Sequence, residues 1–113
     1  MVKIDKVIFG EIAIGGKTYY SDVSIDANGR VELLAKTHVV DMNVVAPLLK
    51  GRLDCLVVGT GMEGSVGVAP EVEEILENKG IKLFSDNTQD AVDIFNGMVA
   101  DRKKVAGIFH VTG

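Results

Sequence analysis

The chain has 113 residues, the length of one domain, and 47% of them are hydrophobic against 25% charged, so it is expected to fold unaided around a real core. Its net charge of −4 and its scattered cations, apart from the run Arg102, Lys103 and Lys104, argue against nucleic-acid binding, which draws on clustered Lys and Arg. A single cysteine, Cys55, excludes an internal disulfide and a thiolate-built metal site and points to a reducing, cytoplasmic location.

The N-terminal segment carries Lys3, Asp5, Lys6 and Glu11, which break any apolar stretch before signal-peptide length, and no uncharged segment approaches a membrane span. "KVIFGEIAI" is rich in β-branched and apolar residues, and "IGGKTYY" places a turn at Gly15 and Gly16 between short runs. In "SIDANGRVEL", Asp26, Asn28 and Gly29 separate two further runs and predict a second hairpin. The first third is therefore expected to be an antiparallel meander. In "VVDMNVVAPLLKG", Asp41 or Asn43 is placed to cap a helix of one or two turns, with Pro47 near its start and Gly51 at its end.

From Asp54 the pattern becomes strand, helix, strand, helix, strand. "DCLVVG" is a continuous apolar run of the kind covered on both faces. "PEVEEILENKG" has Pro70 at the first helical position, Val72, Ile75 and Leu76 on one face, and Gly80 past the end. "IKLF" is the second strand. "TQDAVDIFNGMVADR" spaces Ala91, Val92, Phe95, Met98 and Val99 as a helix with Thr88 as its expected cap, and "KVAGIFHV" closes as the third strand. Right-handed crossovers should then lay three parallel strands side by side, with their carboxyl ends on one edge. Ligands of open α/β sheets bind at such an edge. It gathers Gly59, Thr60, Gly61, Met62, Gly64 and Ser65 from the first strand, Asp86 and Thr88 from the second, and His110 and Thr112 from the third, which together form the candidate binding crevice.

Gly59, Gly61 and Gly64 have the spacing G-x-G-x-x-G, with Asp86 22 positions beyond the third glycine, and so imitate a dinucleotide fingerprint. In a working fingerprint the helix begins inside the motif, so that its free N–H groups face the pyrophosphate. Here Pro70 opens the helix six positions after Gly64, and Glu71, Glu73 and Glu74 crowd its first turn, where carboxylates satisfy the dipole and repel a phosphate. The glycines are better explained by positive φ or by close approach of another chain segment. No cofactor is expected.

The G-T-G loop at Gly59 to Gly61, the Pro-Glu-Val helix start at Pro70 to Val72, the helix with Thr88, Ala91, Val92 and Asn96, the closing "HVTG" and the opening "FGEIAIGGKTYYSDV" together resemble the small Mth-type domain family of unknown function. The resemblance covers nearly the whole chain and implies one three-layer α/β domain over residues 1–113. In that domain, N-terminal antiparallel hairpins join a βαβαβ unit with three parallel strands. Eukaryotic relatives, the adipogenesis-associated domain protein and mitochondrial complex I assembly factor 3, are linked to regulation of adipogenesis and to complex I assembly. The family carries no established catalytic residues to transfer. Relatives often have Cys where this chain has Gly113, so a thiol role there is not implied.

Of the titratable groups, His110 could serve as a general base or simply bond a nearby carbonyl, and the latter is the commoner fate. His38 stands far away in sequence, and the two histidines lack the spacing of a helical metal pair. No serine lies in the G-x-S-x-G elbow, which leaves a hydrolase triad without support. Glu63 and Asp86 sit in turns where acids are ordinarily solvated. The resulting expectation is a non-enzymatic binding or assembly domain with a protein partner or self-association, and with no catalytic residues, metal, nucleic acid or membrane. The alternative is a small-molecule binder or enzyme using the crevice, its ligand unspecified.

Overall fold

The computed structural model describes residues 2–113. The chain runs β1 (Ile4–Ile8), β2 (Glu11–Ile14), β3 (Lys17–Tyr19), β4 (Val23–Ile25), β5 (Val31–Leu33), β6 (Val39–Val40), α1 (Met42–Val45), β7 (Cys55–Gly59), β8 (Gly67–Val68), α2 (Pro70–Asn78), β9 (Lys82–Asp86), α3 (Thr88–Ala100) and β10 (Val105–Phe109). A 3-10 turn at Ala46–Leu48 follows α1 and takes Pro47.

The antiparallel part is divided between two sheets. Strands β1, β2 and β3 form one of their own, while the β4–β5 hairpin joins the central sheet, whose order is β5-β4-β10-β7-β9. The expected meander therefore breaks after Tyr19. Strand β4 is buried along its whole length, as an interior strand must be, and it pairs antiparallel with β10. Its apolar Val23 and Ile25 extend the core that β10 begins.

Strands β10, β7 and β9 are parallel, with β7 in the middle. The first crossover runs outward from β7 to β9 and the second returns past β7 to β10. Two right-handed crossovers made in opposite directions place their helices on opposite faces of the sheet. The alternation of β7 records this. Cys55 and Val57 face the core that holds Ala91, Val92 and Phe95 of α3, together with Ile4 and Ile12 of the small sheet. Leu56 and Val58 face the core holding Val72 and Leu76 of α2. Within the first core, Phe95 and Phe109 meet edge to face with centroids 5.4 Å apart.

The caps follow local chemistry. Asp41 Oδ1 accepts from the N–H groups of Asn43 at 3.0 Å and Val44 at 3.3 Å, closing α1 at its start. Pro70 opens α2 as its spacing predicts. The cap of α3 is Asn87, one residue earlier than expected, with its Oδ1 accepting from Asp90 N at 3.0 Å. Thr88 cannot cap because it is fully buried and its hydroxyl is already engaged elsewhere. The Asn96 amide fastens α3 to the small sheet. It donates to Ile4 O at 2.8 Å and accepts from Ile4 N at 2.9 Å, as a neighbouring strand would.

Candidate functional site

At the carboxyl ends of the parallel strands the glycine loop is held by main-chain bonds and by the hydroxyls of Thr60, Ser65 and Thr88. Thr60 donates to Asp86 O through both its N–H at 2.9 Å and its hydroxyl at 3.0 Å. Gly61 N donates to Thr88 Oγ1 at 3.0 Å, Thr88 N returns a bond to Gly61 O at 2.9 Å, and Thr88 Oγ1 donates to His110 O at 2.6 Å. One buried hydroxyl thus ties together the ends of all three parallel strands.

The segment after β10 then lies against the loop. Met62 N donates to Thr112 O at 3.3 Å, and Ser65 reaches Gly113 O through its hydroxyl at 2.6 Å and its N–H at 3.2 Å. Gly61 has φ +107°, and a Cβ there would come within 2.7 Å of Thr112 O and of the Gly113 carbonyl. Both reasons for glycine offered by the sequence, positive φ and close approach, meet at this one position. Strand β8 separates the loop from α2, and Glu71 and Glu73 occupy the first turn of that helix.

The ten crevice residues are adjacent, but they do not all face one space. Gly59, Gly61 and Thr88 are buried in the hydrogen-bonded knot. Met62 is half-buried and packs against the core on the α3 side. Gly64 and Asp86 are exposed, and Thr60 is half-buried between them and the knot. Ser65, His110 and Thr112 share a cleft of about 290 Å³ with Phe9, Asp22, Lys36, Thr37, His38 and others. Sequence reasoning missed Asp22 and Lys36, and it treated His38 as remote. The pairing of β4 with β10 carries Asp22 beside Val111, whose N–H donates to Asp22 Oδ1 at 2.8 Å. The strand that follows Lys36 and His38 pairs with β8, beside the glycine loop. No local motif announces either event.

His110 is 2% exposed, and its Nδ1 lies 2.8 Å from Gly59 O. The carbonyl bond anticipated for this histidine is therefore present. Among the described residues no group of three His, Cys, Asp or Glu could hold a metal ion.

The thiol lies at the other end of the sheet. Cys55 is buried, and burial pushes its thiol above the ordinary range, with the neighbouring Asp54 charge adding to the effect. This is the environment of an inert core cysteine. Asp54 itself is held below the usual carboxylate range, chiefly by the Lys104 N–H that donates to its Oδ2 at 2.8 Å and further by Arg52. No helix among the described residues is long and apolar enough to cross a membrane.

Solved structures share this arrangement. A conserved hypothetical protein from Pyrococcus horikoshii OT3 is 28% identical and superposes with a TM-score of 0.87 over 98% of this chain and 99% of that one. A Bartonella henselae protein described as an outer membrane protein is 21% identical, with a TM-score of 0.86 over 99% and 96% of the two chains. A Mth938-like domain from Bordetella pertussis, 14% identical, matches at 0.70 over 98% and 86%. At such identities the last two establish the fold alone. The family model described as a protein of unknown function (DUF498/DUF598) matches residues 4–110, and the chain belongs to that family, with the Mth-type α/β fold its motifs resemble.

Proposed function

We propose that the protein is a non-enzymatic binding domain that takes up an extended segment of a partner polypeptide along β5. The observation that carries this reading is a groove of about 720 Å³ between β3 and β5, into which Tyr20 and Leu33, 74% and 64% exposed, both project apolar surface. Each of those strands ends its own sheet.

The backbone of β5 supports the same reading. Leu34 N donates to Asp22 O at 2.9 Å and Asp26 N to Arg30 O at 3.0 Å. In an antiparallel ladder, bonded and non-bonded pairs alternate, so Val31 and Leu33, opposite Ile25 and Val23, turn their N–H and C=O groups away from β4. Two residues apart on an open edge, these groups offer the ladder that strand addition requires, and Tyr20 and Leu33 supply contacts for alternate side chains of the incoming segment. A second copy of this chain would bring the same edge of only three residues. An extended segment of another protein is free of that limit, which favours a distinct partner. Of the candidate residues with catalytic chemistry, Thr60, Ser65 and Thr88 spend their hydroxyls on main-chain carbonyls, and His110 spends Nδ1 on Gly59 O.

Selection of extended peptides from a displayed library tests this. The selected peptides should lose at least about tenfold in affinity for a Tyr20→Ser/Leu33→Ser variant that melts like the parent. Equal binding to that variant, or pairing of β5 with a second copy in place of peptide, would contradict the reading.

A further inference from the structure

Each of the three parallel strands starts beside a cation. Arg52 lies shortly before β7, Lys82 is the first residue of β9, and Lys103 and Lys104 lead directly into β10. The register pairs Cys55 with both Lys82 and Val105, so these starts share one end of the sheet, opposite the glycine loop. With Arg102 they make five of the chain's 12 Lys and Arg residues, and all five are exposed. Cations gathered in this way repel one another and attract an anion. Among the described residues only Arg52 of the five has an ion pair, with Asp54 at 3.4 Å.

Arg102 shows that the cluster is kept against the preference of the backbone. Helices α2 and α3 end in the same motif. Gly80 N donates to Glu77 O and Ile81 N to Leu76 O after α2, and Arg102 N donates to Val99 O and Lys103 N to Met98 O after α3. The pivot of the motif is left-handed, with φ +71° at Gly80 and +61° at Arg102. Among the described residues Arg102 is the one non-glycine residue with positive φ. Glycine would relieve that strain, whereas arginine keeps a charge in the turn. Strain of this kind clusters at functional sites.

Two clefts that share Lys103 open on this face. One, of about 340 Å³, sets Arg52, Lys82 and Lys103 around the half-buried Phe84 and Met98. The other, of about 570 Å³, sets Arg102, Lys103 and Lys104 beside Ala27, Val99 and Ala100. Asp54 also lines the first cleft, but its Oδ2 accepts the Lys104 N–H and its Oδ1 is paired with Arg52. The complementary occupant is therefore acidic, with apolar side chains between its charges. Outside this face the chain is more acidic than its net charge of −4. A long polyanion such as nucleic acid would run off the face onto like charge, whereas a short acidic segment ends within it.

We propose that the amino end of the parallel sheet docks a short acidic segment of a partner protein, its carboxylates pairing with these cations and its apolar side chains entering the two clefts. The face is separate from the β5 edge, and neither reading depends on the other.

The test measures fluorescence anisotropy of a short labelled peptide of alternating glutamate and leucine, added to the full chain at about 50 mM salt, where surface charges are weakly screened. It should bind with a Kd below about 100 μM. A peptide of alternating glutamate and serine and a single-stranded oligothymidylate should each bind at least about tenfold more weakly. Lys82→Gln/Lys103→Gln, altered only at exposed side chains, should keep the parent's melting temperature and lose at least about tenfold in affinity. Arg102→Gly should melt about 3–6 °C higher and yet bind about threefold more weakly, opposite signs that a purely structural arginine would not give. The Tyr20→Ser/Leu33→Ser variant should bind as the parent does. The proposal is overturned if the glutamate–leucine peptide does not bind, if the serine peptide or the oligonucleotide matches it, or if either cation variant binds like the parent. Loss of binding in Tyr20→Ser/Leu33→Ser would also overturn it, as would self-association of the chain that Lys82→Gln/Lys103→Gln abolishes.

Discussion

Thr88 and Gly61 hold each other by two reciprocal hydrogen bonds, Gly61 N to Thr88 Oγ1 at 3.0 Å and Thr88 N to Gly61 O at 2.9 Å. Since Oγ1 also donates to His110 O, removing the hydroxyl strands a donor and an acceptor in the interior. Thr88→Val should cost about 1–3 kcal/mol by denaturant unfolding, with Thr88→Ser recovering part of it. A Thr88→Val protein as stable as the parent would show that the knot does not hold the strand ends.

Gly61 and Gly97 make a contrasting pair. A methyl at Gly61 meets main chain at 2.7 Å in a left-handed conformation, whereas at Gly97, inside α3, it meets nothing within 4 Å. Gly61→Ala should destabilise by about 2–4 kcal/mol. Gly97→Ala should stabilise by about 0.5–1 kcal/mol through helix propensity and loss of unfolded-state freedom. Thermal melts of the two variants check both signs together.

Asn96→Ala leaves the N–H and C=O of Ile4 without the amide that now serves both. The expected loss is about 1–3 kcal/mol, and amide exchange at Ile4 should accelerate more than at Val57 in the central sheet. Uniform acceleration across the chain would mean that α3 and the small sheet are joined by packing alone.

Asp54 gives a pH signature. Its carboxyl lies below the ordinary value in the folded chain because the Lys104 N–H and then Arg52 favour the charged form. The stability it adds is therefore present at neutral pH and lost as pH falls through the depressed value. The melting-temperature gap between the parent and Asp54→Ala should be widest at neutrality and close as pH falls below the ordinary carboxylate range and through the depressed value. A gap independent of pH would rule out the carboxylate as its source.

The second half of the fold was legible because each element carries its own signal. The uninterrupted apolar run of β7, Pro70 before α2 and the apolar spacing of α3 need no tertiary information. The glycine loop was legible for a similar reason, since five residues, Ser65 to Ala69, separate its motif from Pro70, and glutamates crowd the start of the helix beyond it. What sequence could not supply was pairing between distant segments. The break after Tyr19 depends on β10 needing a partner for its open edge, and β10 lies some 80 residues further on. The meeting of Asp22, Lys36, His38 and His110 around one cleft depends on that same pairing and on the β6–β8 contact. Thr88 has the residue type of a cap, and its burial, a tertiary fact, moves that role to Asn87.

The most direct test of the docking reading is hydrogen–deuterium exchange at the Val31 and Leu33 amides with and without a selected extended peptide at saturation. Both amides should become protected when the peptide binds, while the amides of β7, already interior, change little. Peptide binding that leaves Val31 and Leu33 exchanging at their free rates would contradict the account.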